Sequence, residues 1–207
     1  MALRKRDSAA TRDDILTAAR IVLNRDGSGR LSTHSVAAQA GVNQSLIHYH
    51  FRTREGLLLG VLEQMNAELL DRQRSMYARE DMTLAEKWQQ AVDFYRVDLS
   101  SGYVRTLLEL AAHGYSNPAM AVQISHLFDG WRRLLTEVAA SALAQLGMDD
   151  PSADEVVAMV AAFWWGMEVQ HLLGVPEEES HLWAATEKVG RLLGTLETNR
   201  RSRRRKR

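Results

Sequence analysis

Residues 31–58 read LSTHSVAAQAGVNQSLIHYHFRTREGLL. Two short helical patterns flank Ala40-Gly41-Val42, and a third starts just after Phe51. Ser32 sits where an N-cap is needed before Thr33–Ala40, and Asn43 where one is needed before Gln44–Phe51. Ala37, Ala38 and Ala40 are small enough for two helices to approach closely. Gly41 can take the left-handed backbone that ends the first of them. Val36, Val42, Ile47 and Phe51 form an inward row at helical spacing, which leaves Gln44, Ser45, His48 and Tyr49 outward. The pattern is a helix-turn-helix, whose second helix lies in a DNA major groove about 12 Å wide while the first braces it across the backbone. The turn alone would also suit a plain helical hairpin. The two caps, the IHYHF ending and the basic Arg52-x-Arg54 leading into another helix favour DNA.

Outward from this stretch the chain of 207 residues reads as all-α. Its three prolines, at 118, 151 and 176, each sit beside a turn signal, and alternating β-branched runs are missing. The periodicity predicts about nine helices. The first covers 9–25, with Ile15, Ala18, Ala19, Val22 and Leu23 on one face. Two short ones follow at 33–40 and 44–51. The others are expected at about 53–79, 84–99, 103–114, 118–146, 153–173 and 180–197. No flexible linker interrupts the chain near Leu57. The expected organisation is therefore a three-helix DNA-binding domain over 1–56 and a larger helical domain over 57–198. A solvated, disordered tail is expected over 199–207.

Charge follows the same division. Residues 1–56 hold nine Lys/Arg against five Asp/Glu, residues 57–198 ten against twenty-one, and residues 199–207 seven against none. A basic head, an acidic body and a basic tail suit a molecule that offers only some parts to a polyanion. The tail RRSRRRKR could add sequence-independent phosphate attraction, or serve only as a solubilising end. The chain has no cysteine, which excludes disulfides and thiolate metal sites and suits an intracellular setting. No apolar run approaches the roughly 18 residues of a membrane span. The basic N-terminus lacks the apolar stretch of a secretory signal. A cytoplasmic, nucleoid-associated protein is expected.

Residues of about 11–62 resemble the N-terminal domain of TetR-type (TetR/AcrR family) transcriptional regulators. The resemblance rests on TRDDILTAARIVL, the VAAQAGV turn, the IHYHF block and TREGLL. It implies phosphate contacts at Thr33, Tyr49, His50 and Arg54. It implies base-side readers at His34, Gln44, Ser45 and His48. Three positions depart from the family's habit: His48 replaces the usual tyrosine, Leu46 a small phosphate-bonding residue, and Arg54 a lysine. The resemblance further implies a homodimer with a small-molecule effector bound among helices four to eight. A repressor released from a palindromic operator by that effector is the function it implies. An activator of the same fold, or an effector-independent architectural DNA-binding protein, are the alternatives.

Candidate pocket residues in the body are Trp88, Tyr95, Leu107, His113, Met120, Ile124, Trp131, Trp164 and Met167, with Glu109 and Glu168 as charged candidates. Candidate dimer residues recur at three- and four-residue steps on the last two helices: Val156, Val160 and Phe163, then Trp183, Val189, Leu193 and Leu196. No metal site is expected, because a helix turns His48 and His50 about 200° apart and no ligand-spaced set occurs. A Gly-rich phosphate loop, a nucleophile elbow and a paired-carboxylate motif are all missing. No catalysis and no cofactor are expected.

Overall fold

The computed structural model describes residues 2–205 of the chain, and the side-chain environments of residues 8–203. Among the described residues there are ten α-helices, one 3-10 turn and no strand. The helices are α1 (Ala2–Asp26), α2 (Thr33–Ala40), α3 (Gln44–Phe51), α4 (Arg54–Tyr77), α5 (Leu84–Ser100), α6 (Tyr103–Gly114), α7 (Pro118–Leu146), α8 (Ala153–Leu172), α9 (Glu177–Ser180) and α10 (Leu182–Arg205). The 3-10 turn, Ser28–Arg30, precedes α2. The all-α expectation holds, with α9 an addition that the periodicity did not reveal. At the C-terminus, α10 runs on to Arg205, so the described part of the basic tail is helical. Lys206 and Arg207 lie outside the described residues.

The chain forms two compact units. The first joins the residues up to Glu68 with Asp98–Ser125, and the second joins Leu69–Val97 with the chain from His126 onward. The boundary expected after residue 56 falls inside the first unit. There, Leu57, Leu58, Val61 and Leu62 of α4 are fully buried. The first unit also includes α6.

The core of the first unit follows the sequence periodicity. Ile15, Ala18, Ala19, Val22 and Leu23 of α1 are all buried, and α1 packs against α2. Val36, Ile47 and Phe51 are buried too, while Val42 is only half-buried. Close approach is built in at Gly56. A Cβ there would collide with the carbonyl oxygen of Phe51, so only glycine lets α4 start this near the end of α3.

In the second unit, Leu135 and Ala139 of α7 and Val157 of α8 make one buried cluster. Tyr77, Trp131, Val156 and Val160 pack onto it. Helix α8 begins with a capping box. The Ser152 N–H and hydroxyl donate to the Glu155 carboxylate at 2.8 and 2.7 Å, and the Glu155 N–H donates back to the hydroxyl at 3.4 Å. These bonds from Ser152 hold the Glu155 carboxyl below its ordinary pKa. Helix α5 is capped from outside, because Glu197 of α10 accepts from the Leu84 N–H at 3.0 Å and the Ala85 N–H at 3.4 Å.

Replacing Gly56 with alanine should force α4 away from α3 at a cost of about 1–3 kcal/mol, typical of overpacking. Thermal unfolding followed by circular dichroism would show it, and an unchanged melting temperature would refute the steric account.

Candidate nucleic-acid interface

Helix α2 is fixed at both ends by local bonds. The Ser32 hydroxyl accepts from the Ser35 N–H at 3.0 Å, and the Ser35 hydroxyl accepts from the Ser32 N–H at 3.0 Å. Gly41 ends the helix at φ +66°, and the Val42 N–H closes back to the Ala37 carbonyl at 3.1 Å. Helix α3 then starts at Asn43, whose side-chain oxygen accepts from the Ser45 N–H at 2.9 Å. Arg52 stops α3 at a positive φ of 63°, with its N–H on the His48 carbonyl at 3.0 Å.

With Ile47 and Phe51 turned inward, the opposite face of α3 meets solvent. Ser45, Leu46, His48 and Tyr49 are exposed, and Tyr49 retains 75% of its accessible surface. His34 of α2 and Arg52 are exposed as well. Gln44 is half-buried because its amide nitrogen donates to the Thr33 hydroxyl at 2.8 Å. That bond orients both residues and leaves chemistry free. The second amide hydrogen and the carbonyl oxygen of Gln44 still match an adenine edge, and the Thr33 hydroxyl proton can still serve a phosphate. The His48 Nδ1 donates to the Arg52 carbonyl at 3.1 Å, which sets the tautomer and leaves Nε2 for an outside partner. His50 is half-buried, edge-on to Tyr49 at 5.0 Å between centroids.

Arg54 has different company. Its Nε donates to the Leu31 carbonyl at 2.8 Å, and its Nη2 donates to the Ser28 carbonyl and to Glu109 of α6, the latter at 2.9 Å. Seven of the eight sequence-predicted DNA residues thus lie on the paired helices α2 and α3. The eighth, Arg54, is engaged inside the unit. Sequence reasoning missed Glu109 as its partner, while Arg52, the other half of the basic Arg52-x-Arg54 pair, is exposed.

The body residues sort differently from their sequence grouping. Of the pocket candidates, Leu107, Met120 and Ile124 are buried in the first unit, and His113 is exposed there. The second unit brings Trp88, Tyr95 and Trp164 together, with ring centroids 5.9 Å apart for Trp88–Trp164 and 4.5 Å for Tyr95–Trp164. Trp131 packs on the Leu135 cluster, and Met167 is buried. Trp183 joins the aromatic group, 6.0 Å from Tyr95 with the Arg96 guanidinium 4.7 Å above it. Val156 and Val160, expected at a dimer face, lie against their own chain's core. Phe163 contacts Trp164 at 5.7 Å, and Val189, Leu193 and Leu196 are half-buried. The exposed apolar stripe of α8 runs instead through Met159, Ala162, Trp165 and Val169 to Leu173, and Leu192 of α10 is exposed too.

Residues 15–61 match the family described as bacterial regulatory proteins, tetR family. That match covers the helix-turn-helix and the helices on either side of it. Solved structures of transcriptional regulators share its fold. The regulator FadR from Bacillus subtilis, in complex with stearoyl-CoA, is 18% identical, with 87% of this chain and 96% of that one covered at a TM-score of 0.66. A regulator structure from Saccharomonospora viridis in complex with choline is 21% identical over 87% and 95% of the two chains, with a TM-score of 0.69. The TetR transcriptional regulator from Legionella pneumophila is 19% identical over 86% and 94%, with a TM-score of 0.64. No curated protein sequence matches. Among the described residues no group of His, Asp or Glu is placed to hold a metal ion, and no helix is long and apolar enough to cross a membrane.

Removing the Gln44 side chain amide (Gln44→Ala) should cost about 1–3 kcal/mol at one base pair and relax sequence preference there. Tyr49→Phe should weaken all duplexes alike. Binding to single-base operator variants separates the two patterns.

Proposed function

We propose that this protein is a TetR-type regulator, a homodimeric repressor that leaves a palindromic operator when a small-molecule effector binds its body. The observation that carries the DNA half is the outward face of α3. Ser45, His48 and Tyr49 stand exposed there, and Gln44 is pre-oriented by Thr33. Phosphate contacts position such a helix, and base-edge contacts give it specificity. Thr33, Tyr49 and His50 take the first role, and His34, Gln44, Ser45 and His48 the second.

Dimerisation has support in the exposed apolar stripe of α8. Met159 is 58% exposed and Leu173 75%, on a helix whose Ala158, Ala162 and Gly166 would let a second copy come close. Two heads separated by about 34–36 Å, or a multiple of it, would read both half-sites of a palindrome. The effector half rests on the Trp88–Tyr95–Trp164 cluster, in which Tyr95 is buried and both tryptophans are half-buried. Relatives of this fold were solved with stearoyl-CoA and with choline, two chemistries too different to carry one effector class over. The coupling required is modest, about 1–3 kcal/mol for 5- to 150-fold weaker DNA binding. In this scheme residues 1–56 contact DNA and 57–198 carry the effector site and the dimer face. The arginines after 199 add phosphate attraction. The protein works in the cytoplasm, on the nucleoid.

Fluorescence anisotropy with duplex from just upstream of the coding sequence, with excess competitor DNA at about 0.15 M salt, tests the reading. Specific binding should appear at about 10⁻⁸ M or tighter. Sequence-blind binding at about 10⁻⁴–10⁻⁶ M would favour the architectural alternative. Placing a charge in the α8 stripe, Ala162→Glu, should convert the dimer to monomer in light scattering and abolish palindrome binding while the monomer keeps its helical content. An Ala162→Glu protein that remains dimeric would move the interface elsewhere.

A further inference from the structure

The residue at the head of α4 is the one predicted DNA contact that the fold directs inward. Arg54 offers a planar fork of donors, and the first unit fills it. Nε reaches the Leu31 carbonyl at 2.8 Å, and Nη2 reaches the Ser28 carbonyl and the Glu109 Oε1, at 2.9 Å for the carboxylate. Leu31 is buried and immediately precedes Ser32, the N-cap of α2. One guanidinium therefore ties three places together: the entry to the helix-turn-helix, the start of α4, and the middle of α6. The Arg54 and Glu109 side chains are 27% and 26% exposed, which shields the pair more than a surface bridge. Glu55 adds a second carboxylate 3.8 Å from Nη1.

A second polar tie runs from the same helix. The Tyr103 hydroxyl donates to the Asn66 side-chain oxygen at 2.9 Å, fully inside the unit, and so joins α6 to the middle of α4. Helix α6 is thus held to α4 at two points. Only the Arg54–Glu109 point also reaches the backbone leading into α2.

We propose that Arg54 and Glu109 form a positioning pair, in which the α6 carboxylate holds Arg54 against the Ser28 and Leu31 carbonyls and so sets the placement of α2 and α3 for operator binding. Arg54 acts on DNA through this placement and not as a phosphate contact. Displacing α6 would weaken the Glu109 bond and loosen the entry to α2, which gives the effector-release scheme a specific link. The inference rests on the DNA-binding reading above only for its binding readout. The structural readout is independent of it.

The test uses the full-length protein with Arg54→Gln, Arg54→Lys, Glu109→Gln and the double variant Arg54→Gln/Glu109→Gln. Hydrogen exchange, at a temperature where circular dichroism shows each variant folded, reads the placement directly. Both Gln variants should speed exchange across α2 and α3 with α8 and α10 unchanged, and the double variant should add little. Unchanged α2–α3 exchange in Glu109→Gln would overturn the inference, whatever the DNA result. Binding is read on a duplex selected from a random pool, so the operator's genomic position does not matter. Arg54→Gln and Glu109→Gln should each weaken binding about 5- to 50-fold, within the range of a typical coupling. Their salt dependence should match wild type. Arg54→Lys should fail nearly as badly, because an ammonium cannot span three acceptors as the fork does. A phosphate contact predicts the reverse: near-normal Arg54→Lys, unimpaired Glu109→Gln, and a salt slope lower by about one for Arg54→Gln. That pattern would also overturn the inference. If no sequence is enriched from the pool, the regulator reading fails, and the exchange data alone decide the role of the pair.

Discussion

Helix α3 has eight residues, far too few to persist alone in water. It exists because Ile47 and Phe51 leave water almost entirely and because Asn43 caps its first turn. That burial is the constraint on which the rest of the head depends. Once Ile47 and Phe51 face the core, geometry turns Ser45 and Tyr49 to the opposite side, with Leu46 and His48 on the flanks. The packing that stabilises α3 thereby also selects the residues that DNA can meet. Gly56 belongs to the same constraint, since α4 can begin beside the Phe51 carbonyl only without a Cβ.

Electrostatics in the head is more selective than its net charge suggests. The arginines of the first unit do not all face a polyanion. Arg20 pairs with Glu68 at 2.6 Å, Arg12 lies over the Phe51 ring at 5.2 Å, and Arg54 is bound to Glu109. Arg30 and Arg52 stay exposed near the paired helices. Some of the positive charge is structural, and the cations offered to a phosphate are fewer than a count would give. Arg54 also ties the head to α6, which lies in the same compact unit. A disturbance of α6 therefore needs no flexible relay to be felt at α2.

The second unit shows the opposite balance. Helix α8 is apolar around most of its circumference, with Val157 and Met167 buried and Met159, Trp165 and Val169 exposed. A helix of that kind needs cover on two sides. Its own chain supplies one side through α7. The other side is left open for a partner in the dimeric scheme.

Much of the head was legible in the sequence because its determinants are local. Ser32, Gly41 and Asn43 act within a few residues of their own positions, and the apolar spacing of α1 and α3 reports their buried faces directly. The all-α class follows from the same short-range periodicity. The side of α8 that faces inward was not legible, since an all-round apolar helix carries no period to read. Val156 and Val160, whose spacing suits a dimer face, pack on the Leu135 cluster, and Met159, Trp165 and Val169 are the exposed apolar residues. Trp183 joins an aromatic group built from α5, α8 and α10, which only the packed chain assembles. Arg54 and Glu109 are 55 residues apart, so no local pattern links them. The sequence by itself determined the main helices, though not α9 or the helical run of α10 into the tail, and which residues α3 turns outward. The tertiary structure decided which of two apolar faces is core, and which carbonyls and carboxylate Arg54 engages, because both depend on contacts between distant segments.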